Sequence, residues 1–244
     1  MGTKKHAADW LFNNENIGNY LSLDETSLSN GELYRVITNK NVQGKKGSII
    51  TIQKKGTKAS DVIHILDKIR LEKRNMVTEV TNNMRGIMHL IAMTCFPITE
   101  IVTDRFHVQK LASEAVREER IRLRREVSEL NNSAIQKTRE NGETHKQLIA
   151  RSKSLLYKTK WTKSKIKRSD ILFKRYPSIE KVSNLAQGFS HIFETNTNKD
   201  VARLKLAQWY NKVEKSQFKS FNTISRSIQL HYIPILNCFN NRST

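Results

Sequence analysis

The chain has 244 residues, which is enough for one large domain or for a core with one insertion. No apolar run approaches the roughly 18 residues of a membrane span, and Met1–Trp10 lacks the apolar stretch of a secretory signal. The two cysteines, Cys95 and Cys238, lie far apart and without metal-ligand spacing. This pattern argues against a disulfide framework or a zinc site and fits a reducing cytoplasm.

The charge is strongly one-sided. Forty-three Lys and Arg residues stand against 23 Asp and Glu, a formal net charge of +20. Such an excess repels itself unless an anionic partner neutralises it, and a phosphate backbone is the usual partner. The charge therefore predicts a nucleic-acid-binding protein. A ribosomal-type or membrane-surface basic protein is the alternative.

The first part of the chain has the pattern of a β-meander. Tyr20–Leu23 is a short apolar run that ends in Asp24 and Glu25, so we expect a strand with acids at its C-terminal tip. Two β-branched runs follow at Leu33–Thr38 and Ser48–Gln53, separated by a stretch rich in Asn, Gly and Lys. These features predict three antiparallel strands.

Helical and extended patterns then alternate. Apolar residues at helical spacing predict a helix over Ala59–Ile69, and a strand is expected at Met76–Thr81. A second helix, carrying Met84 to Cys95, precedes Pro97, and a fifth strand is expected at Glu100–Thr103. The order β-β-β-α-β-α-β predicts a ribonuclease H-like α/β fold, because each crossover helix returns the next strand parallel to the first.

After Arg105 the chain becomes helical and basic. Residues 105–175 carry 20 Lys and Arg against 8 Asp and Glu. Further helices are predicted at Val201–Val213 and Phe221–Tyr232, in which Trp209 and Tyr210 are expected in the core. The predicted organisation is an N-terminal leader or remnant of a further region at 1–18, an α/β core at 19–107, a basic helical insertion at 108–233 and a truncated tail at 234–244.

The basic residues of this region are the candidate DNA contacts. A solvated helical face is the alternative, but Trp161 interleaved among so many cations suits phosphate contacts combined with base stacking. The candidates are Arg105, Lys110, Arg151, Lys153, Lys158, Lys160, Trp161, Lys163, Lys165, Lys167 and Arg168.

Several motifs resemble one known family. Ser22-Leu-Asp-Glu-Thr26, Glu79-Val-Thr-Asn-Asn-Met84 and above all Thr103-Asp-Arg-Phe-His-Val-Gln-Lys-Leu111 are similar to the ISL-type insertion-sequence transposases of the DDE superfamily. Ala207-Gln-Trp-Tyr-Asn211 and Phe218–Arg226 extend the resemblance downstream. The resemblance implies an enzyme that hydrolyses the ends of its element and joins them to target DNA.

The resemblance also implies a set of three carboxylates that hold two Mg²⁺ or Mn²⁺ ions. Two hard cations can stabilise the attacking and the leaving oxygen of an in-line displacement. Asp24 is the expected first acid, a catalytic residue and metal ligand. Asn83 stands at the position of the second family Asp, and its amide supplies an oxygen donor without charge.

The third family acid, a Glu on a later helix, would lie beyond the Arg242-Ser-Thr motif. We therefore expect a truncated copy that binds DNA but is catalytically inactive and does not hold the ions productively. The alternative is a DNA-binding regulator that inhibits intact transposases by mixed assembly. A further alternative is an active enzyme that uses Asp24, Asp104 and an unidentified acid.

Two more residues of the motif have open roles. Asp104 could substitute as an acid, although we expect it to face a different part of the sheet and to cap the next helix or pair with Arg105. His107 could shuttle a proton, although a packed, hydrogen-bonded role is expected. The expected partners are DNA and, through assembly, a second copy of the chain or an intact transposase, with no membrane. The expected location is the bacterial cytoplasm, at the nucleoid.

Overall fold

The computed structural model describes residues 10–27, 31–42, 45–54, 58–130, 144–151 and 161–241. The chain divides into two compact units. The first comprises Met1–His107 together with His231–Thr244, and the second comprises Val108–Leu230. Among the described residues no helix is long and apolar enough to cross a membrane.

A six-stranded mixed sheet forms the centre of the first unit. Its strands are adjacent in the order β1-β4-β3-β2-β5-β6. Their bounds are β1 Trp10–Phe12, β2 Tyr20–Ser27, β3 Leu33–Asn39, β4 Ile49–Lys54, β5 Glu79–Asn82 and β6 Glu100–Thr103. Mixed α/β structure is therefore confirmed, with the three meander strands antiparallel and β5 and β6 parallel to β2.

The first predicted strand is longer than expected. Tyr20–Leu23 pairs with β5, but β2 continues to Ser27 because β3 goes on pairing with it, Asp24 opposite Val36 and Glu25 opposite Arg35. Asp24 therefore lies inside the strand, at the point where its parallel neighbour has ended. The two acids therefore follow the last residue of β2 that pairs with β5, but they do not lie at the end of β2 itself.

Helices α1 (Ala59–Leu66), α2 (Leu71–Arg74) and α3 (Gly86–Cys95) connect β4, β5 and β6. The predicted helix over Ala59–Ile69 ends early, and α2 follows, fixed by Arg74, which donates hydrogen bonds to the carbonyl oxygens of Ile69 and Cys95. Buried apolar residues of α1 and α3 pack with those of the sheet in one core cluster: Leu21, Leu23, Ile37, Ile50, Val62, Leu66, Val80, Met88, Ile91, Ala92 and Ile101 are among its members.

Two predicted segments need correction. The predicted leader, 1–18, contains Trp10–Phe12, which pairs antiparallel with β4 as an edge strand. The predicted tail, 234–244, contains most of α10 (Tyr232–Asn241), which packs on β6.

Helix α10 closes the sheet beside β6. Ile235, Leu236 and Phe239 are buried, and the Asn237 side chain donates a 3.0 Å hydrogen bond to the Ile101 carbonyl oxygen. Pro234 does not break the helix because it lies in the first turn, where a backbone N–H has no helical partner.

The second unit is helical. Its helices are α4 Arg105–Leu130, which begins in the first unit, α5 His145–Arg151, α6 Lys163–Arg175, α7 Pro177–Thr195, α8 Lys199–Ser216 and α9 Lys219–Leu230. Thr162 caps α6 and Asn198 caps α8, each through its side-chain oxygen. The aromatic rings of Phe189, Trp209 and Phe221 are buried together. The core position predicted for Trp209 is thus confirmed.

Candidate functional site

Three polar residues lie side by side where β5 and β6 end and beside the middle of β2. Leu23 is the register partner of Asn82, and Asn82 is the partner of Thr103. The next residue along each chain segment is Asp24, Asn83 and Asp104 respectively. The parallel register thus brings the three sequence-predicted site residues to one edge of the sheet.

Asp24 is the most accessible of these side chains. Its side chain is 51% exposed, and its Oδ1 atom accepts a 2.7 Å hydrogen bond from the backbone N–H of Glu25. Side chains of a strand alternate between faces, so Asp24 points away from the face on which Leu23 joins the core with α1 and α3. This carboxylate is available to a ligand at the sheet edge.

His107 lies between the two acids of the edge. Its Nε2 atom is 3.6 Å from Oδ1 of Asp24 and 4.0 Å from Oδ2 of Asp104. These distances exceed a hydrogen bond, but they place an imidazole within ion-pair range of both carboxylates. Asp104 therefore does not face a different part of the sheet, as the sequence had suggested, but shares a neighbour with Asp24.

Asp104 also begins helix α4. Its Oδ1 atom accepts a 2.8 Å hydrogen bond from the Phe106 N–H, and its own N–H donates to the Asn82 carbonyl oxygen at 2.9 Å. The first contact is that of a helix cap, which satisfies one of the free N–H groups of the first turn. The predicted capping role of Asp104 is confirmed.

Asn83 is 7% exposed and is already engaged by the chain. Its Oδ1 atom accepts a 3.1 Å hydrogen bond from the Arg85 N–H, which fixes the turn between β5 and α3. The neighbouring Asn82 is also buried, and its Nδ2 group has no hydrogen-bond partner among the described residues. The amide oxygen nearest to Asp24 in the register is therefore neutral and occupied.

Glu25 belongs to a separate charge cluster. It is an ion-pair partner of Arg85, and its Oε1 atom lies 3.6 Å from Nε of Arg35. The Glu25 and Arg35 side chains are both nearly buried, whereas Arg85 is more than half exposed. Glu25 therefore ties the β5–α3 turn to the sheet and is not free to act as a ligand.

A second buried carboxylate lies at the opposite end of β5. Glu79 is 1% exposed, and its Oε1 atom is 3.3 Å from Nζ of Lys40 and 3.1 Å from Oγ1 of Thr81. The ammonium group of Lys40 also donates to Thr81 at 2.8 Å. This cluster neutralises the charge of Glu79 and stabilises the sheet. It is not part of the edge that carries Asp24.

The donors at the edge do not fit a pair of metal ions. No group of three or more His, Cys, Asp or Glu side chains within the described ranges has the spacing of a metal site. Among the described residues of the edge, Asp24 is the carboxylate most open to a ligand, since Asp104 caps a helix and Glu25 is ion-paired. One open carboxylate beside a neutral amide is too little negative charge for two divalent ions.

The candidate DNA contacts fall into three groups. Lys153, Lys158 and Lys160 lie outside the described residues, and the side chain of Arg151, the last residue of α5, lies outside them too. Arg105 and Lys110 occupy the first turns of α4, where Lys110 is exposed and 3.9 Å from Glu114. Lys163, Lys165, Lys167 and Arg168 lie on α6, with Lys163 and Lys167 exposed.

Trp161 packs inside the second unit. It is 8% exposed, its ring lies 6.3 Å from that of Phe173, and Nζ of Lys165 lies 5.3 Å from its ring centre. Because the Trp161 ring is buried against other side chains of the protein, the base-stacking role expected of Trp161 needs correction. Partial burial also lowers the pKa of Lys165.

These features define a class: a mixed α/β protein with a polar, partly acidic sheet edge and a helical unit rich in exposed cations. A family model described as a transposase matches residues 21–244. The chain therefore belongs to the ISL3-type family of DDE transposases. No curated protein and no solved structure matches it. Family membership implies DNA as the partner, transposition as the family's activity and a general dependence on divalent metal ions.

Proposed function

We propose that the first unit has the ribonuclease H-like fold. Its sheet places β2 between an antiparallel meander and two parallel strands, β5 and β6, that follow crossover helices. This topology supports the proposal because ligands of open α/β sheets bind outside the carboxyl ends of parallel strands where the strand order reverses. β2 and β5 meet at such a point, and Asp24 lies there.

The protein acts on DNA as a binding protein, through a cationic surface. The net charge of +20 and the exposed lysines of α6 and α4 support this assignment. Contacts from Lys and Arg to phosphates release condensed counterions and confer affinity without sequence information. In the cell such a protein resides on the nucleoid.

Asp24 is the metal ligand of the site, and strand transfer is lost. The observation that carries this proposal is Asn83, a neutral amide in the register row between Asp24 and Asp104 whose oxygen accepts the Arg85 N–H. In the family, divalent ions supply the charge stabilisation for phosphoryl transfer. Asp24 contributes one negative charge, which is too little to offset the dehydration of two such cations.

His107 reduces the room for an ion at this site. Its Nε2 atom lies 3.6 Å from Oδ1 of Asp24 and 4.0 Å from Oδ2 of Asp104, so the ring lies between the two carboxylates. Glu25 adds no open carboxylate to the site, because it is paired with Arg85 and Arg35.

The experiment combines DNA binding with DNA cleavage. We expect fluorescence anisotropy with a labelled duplex to give a log K that falls steeply with log salt, and we expect no nicking of supercoiled plasmid in Mg²⁺ or Mn²⁺. A flat salt dependence contradicts DNA binding. Nicking that disappears in Asp24→Ala contradicts the loss of strand transfer.

A regulatory role is the second candidate function. Buried residues of the sheet, α1 and α3 form one core cluster, and the Asn237 side chain of α10 donates a hydrogen bond to the Ile101 carbonyl oxygen of β6. A folded relative that binds DNA without cutting it can occupy element ends or enter mixed assemblies with an intact transposase. Adding this chain to an active family member should then lower its transposition frequency in proportion to dose, and unchanged transposition contradicts this role.

A further inference from the structure

A groove of about 490 Å³ runs between α7 and α8 in the second unit. Its walls are single faces of the two helices, because lining residues recur three, four and seven positions apart on each. On α8, for example, Lys205 and Trp209 are four apart, and Lys205 and Lys212 are seven apart. The groove belongs to neither the sheet edge nor the basic run at 158–168.

The rim of the groove is positively charged. Lys181, Lys205 and Lys212 line it, together with His191, and none of its lining residues is acidic. No carboxylate oxygen lies within 4.0 Å of these three ammonium groups in the part of the chain that the structure describes. None of the three charges is therefore paired with a described carboxylate.

One of the lysines is oriented by a neutral group. Nζ of Lys205 donates a 2.7 Å hydrogen bond to Oδ1 of Asn196, which fixes the side chain without neutralising it. Lys205 and Lys212 are two helical turns apart, or about 10 Å along the axis. A row of fixed and free cations at this separation suits an extended polyanion better than a single small anion.

The floor of the groove is rigid. The indole N–H of Trp209 on α8 donates a 2.9 Å hydrogen bond to the Leu185 carbonyl oxygen on α7, and the ring packs against Phe189 at 4.6 Å. These contacts hold α7 and α8 at a fixed separation. The groove is therefore formed before any ligand arrives, which lowers the entropic cost of binding.

Gly188 lies in the middle of α7 and lines the groove. A glycine inside a helix costs about 0.5–1 kcal/mol relative to alanine. A Cβ atom at this position would meet no heavy atom within 4 Å, so packing within the protein does not require glycine. The glycine leaves open space at this point of the groove, so that an extended ligand can approach the helix backbone closely.

We propose that the α7–α8 groove binds a DNA strand through its phosphate backbone. The inference rests on the proposed DNA-binding function and assigns it a place that the run of lysines at 158–168 does not include. Lys181 and Lys212 contact phosphates from the two walls, Lys205 contacts another phosphate two helical turns away from Lys212 on α8, and Gly188 admits the backbone. The contacts are independent of base sequence.

The test compares two double variants of the full chain. Lys181→Gln/Lys212→Gln removes two charges from the groove, and Lys73→Gln/Lys215→Gln removes two exposed charges outside it. Both are titrated with a labelled duplex of arbitrary sequence over a salt series. The groove variant should lower the slope of log K against log salt by about 2, near 1 for each lysine, while the control leaves it unchanged.

Gly188→Leu is the second probe, since it fills the groove without altering charge. We expect weaker DNA binding at all salt concentrations and a melting temperature no lower than that of the unaltered chain, because the new side chain enters open space and a glycine inside a helix is destabilising.

The outcomes separate the groove from the general function. If the unaltered chain shows no salt-dependent DNA binding, the proposed function fails and the groove assignment fails with it. If the unaltered chain binds DNA and the groove variants match the control, only the groove assignment is overturned. Unchanged DNA binding with altered self-association on sedimentation also overturns it, because the occupant is then a second copy of the chain.

Discussion

Nε2 of His107 lies 3.6 Å from Oδ1 of Asp24, across the ends of α4 and β2. The two residues come from separate motifs of the sequence, and the parallel register of β2, β5 and β6 brings them together. The imidazole stands beside the acid that we propose as the metal ligand. The chemistry of this edge therefore depends on this neighbouring ring as well as on the neutral amide of Asn83.

The buried pair of Glu25 and Arg35 should contribute strongly to stability. Arg35→Met leaves a nearly buried carboxylate with one partner fewer, and we expect a loss of about 3 kcal/mol in the free energy of unfolding. Adding Glu25→Leu should recover most of that loss, because no charge then remains buried. Urea denaturation of the single and double variants measures both effects.

Arg203→Met is the matched control for this cycle. It removes an exposed pair with Asp200 and should cost less than about 1 kcal/mol. Equal losses for Arg35→Met and Arg203→Met would show that the inner pair has no special role.

Helix α10 should be part of the folded core. Phe239→Ala removes a buried ring beside β6 and should cost about 3–5 kcal/mol in the free energy of unfolding. The neighbouring Asn240→Ala removes an exposed hydrogen bond to Glu100 and should cost less than about 1 kcal/mol. A Phe239→Ala variant as stable as the unaltered chain would contradict the packing of α10 on the sheet.

The Glu119 carboxyl should make the free energy of unfolding depend on pH. Burial alone would raise the pKa of this carboxyl, but hydrogen bonds from Arg122 and Ser178 and the charge of Arg122 lower it below its usual value near 4.5. The folded state therefore binds this proton less readily than the unfolded state does. Its contribution to stability is complete above the unfolded pKa and is lost as pH falls through the folded value.

Melting temperatures between neutral and acid pH test this prediction. Glu119→Gln should be less stable than the unaltered chain at neutral pH and should lose less stability on acidification. Glu118→Gln, at an exposed neighbouring position, should keep the original profile. Parallel profiles for the unaltered chain and Glu119→Gln would show that this carboxyl does not couple to folding.

Local patterns in the sequence predict most of the sheet. Glu100–Thr103 is predicted with its observed bounds because Pro97 and the start of α4 delimit a short β-branched run. The meander and the two crossovers follow from alternation and helical spacing in the same way. Where an element depends on residues that are close together in the chain, the local sequence pattern is enough to predict it.

Long-range register accounts for what the sequence does not predict. The approach of His107 to Asp24 depends on pairing between strands far apart in the chain, whereas Asp104 is only three residues before His107. The sequence pattern does not predict helix α10, because its asparagines read as a polar tail. One of them, Asn237, donates a hydrogen bond to β6, at a residue 136 positions away in the chain. The groove lysines are single residues on two helices, so no run of charge marks them.

The most direct test of the account counts Mn²⁺ ions at Asp24. Calorimetric titration of the unaltered chain should show at most one ion whose binding Asp24→Ala removes. Asn83→Asp should raise Mn²⁺ affinity by at least about tenfold, since it adds a charged oxygen ligand beside Asp24. Asn82→Asp, at a buried position in register with Leu23, should not. Two ions bound by the unaltered chain, both lost in Asp24→Ala, would contradict the account.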